Sequence, residues 1–564
     1  MRIRWRGSLS AISPANPSPF SRIVGALGLA VARRGLLESA SAPREDEPVP
    51  LGFRLRADPG TRLVANGLVL VGGSPVRVLR LTPAGARQVA GWLAGVPVPD
   101  NLIARKLARR LLDAGIAHPV PTAPAAPAAA APGAVTTSAG TRSRDVTVVI
   151  PVKDRHAELG RCLAGLREAA VALGDDAPSV VVVDDCSADP SAIAAIAAEG
   201  GARVIRRAVN GGPGAARNTG LAAVATELVA FLDSDCVPRA GWLERLLAHF
   251  ADPAVGAVAP RIVPHEEGTG WLARYEGASS TLDMGARPSI VRPGARVSYV
   301  PGAALVVRRS AAGGGFTEGM FVGEDVDFVW RMAAAGWRVR YEPAALMGHD
   351  HRVRLRAWFS RRADYGTSAA ALEQLHPGAV RPLYASWWTV GAWAAVLSRR
   401  PVAAAALTGT ATALLARRLS PITGERWRGQ GAAWSLAARL AGGGTLAAAR
   451  PLGSALSRAW WPLAIPAAIA VPRLRVPVAA LILAPPLLDW ANRRPPLDPA
   501  RYVAARLLDD VASSVGVWQG CLRRRTIAPL LPLIGVARPA RGGQHHGISS
   551  AVRGTPARGR TTPR

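Results

Sequence analysis

Two carboxylates stand two positions apart at the point where an apolar segment of the chain ends. The segment 228–232 is followed directly by Asp233-Ser234-Asp235. A short apolar run is typical of a buried strand, and Asp is disfavoured inside strands, so both carboxylates should lie just beyond the strand. Side chains two positions apart in extended backbone point the same way, and converging carboxylates suit a divalent cation such as Mg²⁺ or Mn²⁺. The pattern predicts a metal site at Asp233 and Asp235, with a solvated turn as the alternative.

Two further strand-like segments end in polar residues. The apolar run that begins at Val146 ends at Lys153-Asp154-Arg155, and the run from Val180 ends at Asp184-Asp185. Strand-like and helix-like segments alternate from residue 145 to about 345, which predicts a parallel sheet with helices on both faces. Ligands of such sheets bind beyond the carboxyl ends of the strands. The sequence therefore predicts one crevice lined by acidic strand ends.

A glycine-rich segment, residues 210–220, carries the pattern Asn-Gly-Gly-Pro-Gly-Ala-Ala-Arg-Asn-Thr-Gly. Its glycines permit close approach of the backbone, and a helix that begins near Gly214 would present free N–H groups to a phosphate. Arg217 would add a positive charge beside a diphosphate. A simple turn before a helix is the alternative.

Acidic and histidine residues later in the chain offer a base and a further metal ligand. Glu324 and Asp325 precede an apolar helical face, so they are either a general base for an acceptor hydroxyl or the charged first turn of a helix. His349 follows a strand-like segment in Gly-His-Asp-His and could complete the metal site. A surface turn is again the alternative.

These motifs occur in the order found in the family 2 glycosyltransferases, which the segment from about 145 to 350 resembles. The resemblance implies an α/β domain of the GT-A (Rossmann-like) fold. It also implies a nucleotide-diphospho-sugar donor, a Mn²⁺ or Mg²⁺ ion and inversion at the anomeric carbon. The processive members carry a QxxRW motif that is absent here, because 361–366 reads Arg-Arg-Ala-Asp-Tyr-Gly.

The resemblance also implies a role for each matching residue. Asp325 would be the catalytic base with Glu324 beside it, and the metal would be held by Asp233, Asp235 and, by our own reasoning, His349. Five positions would contact the nucleotide sugar: Pro151, Asp154, Asp185, Arg217 and Asp233.

A small segment, residues 50–119, precedes this region and reads as a winged-helix-like α+β module. Short strand-like runs are followed by a helix that Thr82 caps and that extends through Leu93, and Asn101 precedes a second helix ending near Gly115. The segment is similar to the PqqD-like peptide-recognition fold, which implies binding of a leader peptide by strand addition. A small packing domain is the alternative.

The pairing of this module with a family 2 domain resembles the glycosyltransferases of mycofactocin systems. That resemblance implies transfer of glucose, with UDP-glucose as donor, to mycofactocin or its peptide-derived precursor. Two other functions stay open: a cell-envelope rhamnosyl- or galactosyltransferase acting on a lipid-linked glycan, and a non-catalytic membrane-surface scaffold that binds peptides.

The net charge of +30 does not indicate a nucleic-acid partner, because no nucleic-acid-reading motif is present and arginine pairs flank apolar stretches instead. That placement suits the anionic cytoplasmic face of a cell membrane. The apolar stretches fall short of the roughly 20 residues that a span needs, which favours interfacial helices over spans. The four cysteines are scattered, as expected in a reducing cytosol.

The composition divides the chain into six segments. They are a basic N-terminal segment (1–49), the PqqD-like module (50–119), a Pro/Ala linker (120–144), the GT-A domain (145–375), an apolar helical, membrane-associated region (376–537) and a disordered basic tail (538–564).

Overall fold

The computed structural model describes residues 43, 47–120, 142–171, 173–423 and 431–535. Nearly all of the basic N-terminal segment, most of the linker and the whole basic tail lie outside the described residues.

The N-terminal module (residues 50–119) contains two helices and two small antiparallel sheets. Its helices begin where the sequence predicts, because Thr82 Oγ1 accepts from Gly85 N at 3.1 Å and Asn101 Oδ1 accepts from Ala104 N at 2.8 Å. One sheet pairs β1 with β5, and the other has the order β2-β3-β4. The elements are β1 (Leu55–Ala57), β2 (Arg62–Val64), β3 (Val69–Gly72), β4 (Arg77–Arg80), α1 (Pro83–Leu93), α2 (Leu102–Asp113) and β5 (Ala117–Pro119).

The central domain (residues 145–375) is built on a sheet of nine strands. Its strands are β6 (Val146–Val152), β7 (Ser179–Asp184), β8 (Arg203–Arg206), β9 (Leu228–Leu232), β10 (Cys236–Pro238), β11 (Val255–Pro264), β12 (Ser289–Ile290), β13 (Ala304–Arg308) and β14 (Arg338–His349). Its helices are α3 (His156–Val171), α4 (Pro190–Glu199), α5 (Gly212–Ala222), α6 (Trp242–Leu247), α7 (Trp271–Ser279), α8 (Glu324–Ala334) and α9 (Leu355–Leu375).

The prediction of a parallel sheet is right for six of the nine strands, which run in one direction, and wrong for β10, β12 and β13, which run the opposite way. The order is β10-β14-β11-β13-β9-β6-β7-β8, with β12 beside β14. The strands β9, β6, β7 and β8 are mutually parallel, whereas β13 runs antiparallel to both β9 and β11. A strand covered on both faces is apolar throughout whichever way it runs, so the residue pattern does not record its direction.

Two apolar cores cover the two faces of this sheet, as predicted. One contains buried residues of α3, α4 and α6, and the other contains residues of α5 and α8. The carboxyl ends of β6, β7 and β9 lie at one edge because these strands are parallel neighbours. The polar residues that follow them are thereby gathered on one side of the domain.

The C-terminal region (residues 376–535) is helical apart from a two-stranded sheet. Its elements are β15 (Tyr384–Ala385), α10 (Trp387–Leu397), α11 (Pro401–Thr423), α12 (Gly431–Ala437), a π-helical turn (Ala438–Gly443), α13 (Gly444–Ala447), α14 (Ala449–Arg458), α15 (Trp461–Ala470), α16 (Pro472–Arg493), α17 (Pro499–Arg523) and β16 (Leu533–Ile534). Strand β16 pairs in parallel with β15. Within the described ranges, α16 is the one helix whose length and composition would allow a membrane span.

The helix α17 joins the C-terminal region firmly to the central domain, which the sequence does not indicate. It packs against α9 at three glycines, Gly366, Gly516 and Gly520, where an added Cβ would meet backbone atoms of the opposite helix. Arg362 of α9 also forms a buried ion pair with Glu276 of α7 and lies 3.3 Å from Asp509 of α17. The predicted boundary at 375 therefore separates helices that pack as one unit.

Candidate active site

Arg217 lies at the centre of the predicted site and joins two carboxylates. Its Nη2 donates to Asp233 Oδ1 at 2.6 Å, and its Nη1 donates to Glu324 Oε1 at 2.8 Å. Arg217 is buried on α5, the helix that most of the glycine-rich segment forms, and Phe316 lies beneath its guanidinium. The two carboxylates come from β9 and α8, so this arginine holds two separate parts of the chain together.

Gly302, which precedes β13, connects Asp325 to the same network. Its N–H donates to Asp325 Oδ2 at 2.6 Å, and its carbonyl accepts from Arg217 Nη2 at 3.3 Å. An added Cβ at Gly302 would lie 2.9 Å from the Asp325 Cβ, so only glycine fits between the acid and the arginine. The structure therefore brings Asp233, Glu324 and Asp325 into one hydrogen-bonded cluster.

Asp235 and His349 meet on neighbouring strands. Strand β10 pairs with β14 so that Cys236 is opposite His349, and His349 Nε2 lies 3.6 Å from Asp235 Oδ1. Ligand atoms of Asp235, Cys236 and His349 all lie within 4.8 Å of one another, and His349 Nδ1 is buried without a hydrogen-bond partner among the described residues. Arg155 forms an ion pair with the second oxygen of Asp235.

The protonation states in this cluster follow from burial and neighbouring charges. Burial alone would raise the pKa of Asp235, but His349 and Arg155 outweigh it and leave the pKa below its ordinary value. Burial and the nearby Asp325 carboxylate raise the pKa of Glu324, although Arg217 opposes them. Burial raises the pKa of the Cys236 thiol, and the neighbouring Asp235 and Asp233 carboxylates raise it further.

Two predicted nucleotide contacts organise loops in this structure. Asp185 is buried and accepts from Gly211 N at 3.0 Å and Gly212 N at 2.7 Å, so it holds the glycine-rich segment at the start of α5. Asp154 has φ +55° and accepts from Ala188 N at 2.7 Å. Pro151 lies buried within β6. All three lie at the carboxyl ends of β6 and β7, on the side where Asp233 follows β9.

Sequence reasoning missed a basic rim around the paired aspartates. Burial by itself would lower the pKa of Arg361, but Tyr365 and Asp233 raise it, and the Arg361 guanidinium lies 4.7 Å from the Tyr365 ring centre. Burial, Arg361 and Arg155 together lower the pKa of Arg352. These arginines create the positive potential that a diphosphate needs. Their proximity depends on where the segment that contains Arg352 and the start of α9 packs, which no local motif records.

Comparison with known proteins identifies the family of this chain. The family model described as Glycosyl transferase family 2 matches residues 147–313. The "Pre-mycofactocin glycosyltransferase" of Mycobacterium tuberculosis (strain H37Rv) is 41% identical over 501 residues, which is 86% of this chain and 98% of that protein. An O-antigen chain rhamnosyltransferase of Salmonella typhimurium is 27% identical over 159 residues. These residues cover 27% of this chain and 51% of the rhamnosyltransferase.

Among solved structures, the mannosyltransferase PcManGT from Pyrobaculum calidifontis is 23% identical with a TM-score of 0.33, covering 52% of this chain and 86% of its own.

The mixed sheet, with acidic residues beyond β9 and at the start of α8, is a GT-A fold, and the chain belongs to the family 2 glycosyltransferases. The sequence-based predictions that the chain belongs to this family and that it is an enzyme are both confirmed. Within the family, the chain is similar to the pre-mycofactocin glycosyltransferase over 86% of its own length and 98% of the length of that protein.

Proposed function

We propose that this protein is an inverting hexosyltransferase that moves glucose from UDP-glucose to mycofactocin or its peptide-derived precursor. Similarity to a protein named for pre-mycofactocin, over 98% of its length, supports the acceptor. The observation that carries the chemistry is Arg217, which ties Asp233 on the proposed donor side to Glu324 beside the proposed base. A donor and an acceptor hydroxyl can therefore meet in one place.

The residues present fit a divalent cation. Asp235 supplies a carboxylate oxygen, and His349 Nε2 lies 3.6 Å from it. His349 Nδ1 has no hydrogen-bond partner among the described residues, and Asp233 lies two residues before Asp235. Oxygen and imidazole ligands together suit Mn²⁺, and a carboxylate pair also suits Mg²⁺. The ion, when bound, neutralises charge on the departing diphosphate.

Asp325 is the general base in this proposal. Its Oδ2 accepts from Gly302 N at 2.6 Å, and its Oδ1 accepts from Val326 N at 2.8 Å, so the carboxylate is fixed before an acceptor arrives. It takes a proton from the acceptor hydroxyl, whose oxygen then attacks the anomeric carbon from the face opposite the diphosphate. Glu324 keeps Arg217 in place beside the base.

The leaving diphosphate is stabilised by fixed positive groups. Arg217 is held in place by its hydrogen bonds to Asp233 and Glu324, whereas the N–H groups of Gly211 and Gly212 at the start of α5 already donate to Asp185. Arg155, Arg352 and Arg361 add charge at the rim. An oxocarbenium-like transition state needs such leaving-group assistance more than it needs a strong base.

The N-terminal module is the peptide-recognition part of this proposal. Its three-stranded sheet has β2 at one edge, and among the described residues β2 pairs with β3 alone. One face of this sheet is covered, because Val71 of β3 and Val78 of β4 pack against the α11–α12 core, and Arg80 of β4 donates to the Pro421 carbonyl at 3.0 Å. A leader peptide would therefore add as a strand beside β2.

In this proposal the C-terminal region associates with the cytoplasmic face of the membrane. Several of its helices expose large apolar side chains next to exposed arginine pairs such as Arg399-Arg400 and Arg417-Arg418. Only 17% of the apolar window in α16 is buried within the protein. The exposed apolar residues include Trp387, Leu414, Leu463, Ile469, Val476 and Leu488.

The decisive experiment compares acceptor pools by mass spectrometry in strains with and without this protein. Loss of hexose-bearing mycofactocin on deletion, restored by the wild type and not by Asp325→Asn, is the expected result. An unchanged hexose ladder would redirect the assignment to a cell-envelope glycan. A scaffold would be indicated by a different result. In that case the purified protein would capture the precursor peptide, but it would neither hydrolyse UDP-glucose with Mn²⁺ nor transfer glucose from it.

A further inference from the structure

Each of the two paired aspartates already holds an arginine, but the two arginines are anchored very differently. The Arg217 side chain on Asp233 is 3% exposed and makes three hydrogen bonds, to Asp233, Glu324 and Gly302. The Arg155 side chain on Asp235 is 36% exposed, and Asp235 is the one partner found for it in the described structure. Arg217 is thus a permanent part of the site, whereas Arg155 is free to leave.

Arg155 occupies the carboxylate that the proposed cation needs. Asp235 offers one oxygen to His349 Nε2 at 3.6 Å and the other to the Arg155 guanidinium. A divalent ion on Asp235 and His349 would stand next to this guanidinium, and like charges at such a distance repel. The cation and Arg155 therefore compete for Asp235.

The position of Arg155 would let it pair with a bound donor diphosphate instead of Asp235. It directly precedes α3, follows Asp154 at the end of β6, and lies close enough to Arg352 to lower the pKa of that residue. This is the basic rim where the diphosphate of a donor would lie. A diphosphate brings the negative charge that would let Arg155 and the metal stay in the site together.

We infer that Arg155 is a built-in placeholder cation: it holds Asp235 in the ligand-free enzyme and passes to the donor diphosphate when the metal binds. The inference rests on the proposed function and adds to it a dependence of metal binding on the nucleotide. Metal alone binds weakly because it must displace Arg155, and metal and nucleotide bind cooperatively because the diphosphate accepts the displaced arginine.

The test measures Mn²⁺ binding by electron paramagnetic resonance, with the purified full chain, in the absence and presence of UDP. In the absence of UDP, Arg155→Ala is expected to bind Mn²⁺ at least about fivefold more tightly than the wild type does. The factor by which UDP increases the Mn²⁺ affinity is expected to be smaller in this variant by a similar amount. Arg155→Lys retains the charge and is expected to stay near the wild type. Arg155→Gln serves as a second neutral variant, and thermal unfolding checks that each variant is folded.

Arg161 of α3 supplies the matched control, because it pairs with Asp350 rather than Asp235. Arg161→Ala is expected to change Mn²⁺ affinity by no more than about twofold. Unchanged or weaker Mn²⁺ binding in Arg155→Ala would overturn the inference while leaving the proposed enzyme intact. Mn²⁺ binding that survives Asp235→Ala would overturn the metal ligands of the proposed function itself, so the two failures are distinguishable.

Discussion

Arg109 of the N-terminal module donates to both carboxylate oxygens of Asp252 in the central domain, at 2.7 Å each. Both side chains are almost completely buried, with 1% and 2% exposure. Arg338 and Asp113 form a second ion pair across the same junction at 3.0 Å. The module is thereby fixed against the start of β14, the strand whose other end carries His349.

Breaking this buried pair should destabilise the protein strongly. Arg109→Ala leaves the Asp252 carboxylate buried without its guanidinium, and such a loss costs about 3–5 kcal/mol. Thermal unfolding should show a clearly lower midpoint. Arg144→Ala is the control, because its pair with Asp176 spans 3.6 Å at the surface and should cost no more than about 1 kcal/mol. Equal midpoints for the two variants would contradict the importance given to the junction.

Asp325→Asn should lower kcat about 100-fold or more, because an amide cannot take the acceptor proton. Donor affinity, measured by calorimetry with UDP-glucose, should change little since Asn retains the shape and the bond from Gly302 N. The surface variant Asp175→Asn controls for general charge effects. Turnover equal to the wild type would show that the base is elsewhere.

Asp235→Ala should also abolish transfer, but for a different reason. It removes the carboxylate proposed to hold the metal, so donor binding in the presence of Mn²⁺ should fall together with kcat. The ratio of the two losses separates this variant from Asp325→Asn. Retention of Mn²⁺-dependent donor binding would exclude Asp235 as a ligand.

The close contact between α9 and α17 predicts an intolerant glycine. A Cβ at Gly516 would lie 1.8 Å from the Ala363 carbonyl oxygen, so Gly516→Ala must push the helices apart and should lower the unfolding midpoint and the yield of folded protein. Gly409→Ala on α11 is the matched control, since nothing lies within 4 Å of its added Cβ. That variant should be neutral or stabilise by up to about 1 kcal/mol. A Gly516→Ala protein as stable as the control would contradict the packing.

Asp327 should make stability depend on pH in the acid range. It accepts from His376, Thr317 and Arg331, and although burial alone would raise its pKa, these bonds lower it from 3.8 to about 2. A carboxyl whose folded pKa is depressed stabilises the protein above the unfolded value and loses that contribution as pH falls toward the folded one. Asp327→Asn should therefore cost about 2 kcal/mol near neutral pH, and the gap should narrow between pH 4 and 2. A gap in unfolding midpoint that stays constant would refute this coupling.

Local sequence patterns were sufficient for much of the fold. The caps at Thr82 and Asn101 give the helix starts because a side-chain oxygen there satisfies a free N–H within three residues. Asp233 and Asp235 could be placed beyond β9 because an apolar run stops at them. The start of α8 at Glu324 follows from its own apolar periodicity.

Other features depend on contacts between distant parts of the chain. The antiparallel direction of β13, the approach of α17 to α9 and the position of Arg155 on Asp235 leave no local trace, because each is decided by what the segment packs against. Asp185 is a further example. The sequence predicts its place at the end of β7, but only the structure shows that it holds the glycine-rich segment.

The sequence by itself determined which residues could do chemistry and at which strand and helix ends they stand, since residue type and periodicity are local properties. Only the tertiary structure decided which of them meet. Arg217, Gly302 and Asp325 become one hydrogen-bonded cluster because three elements converge at one edge of the sheet, and convergence is a property of packing rather than of spacing along the chain.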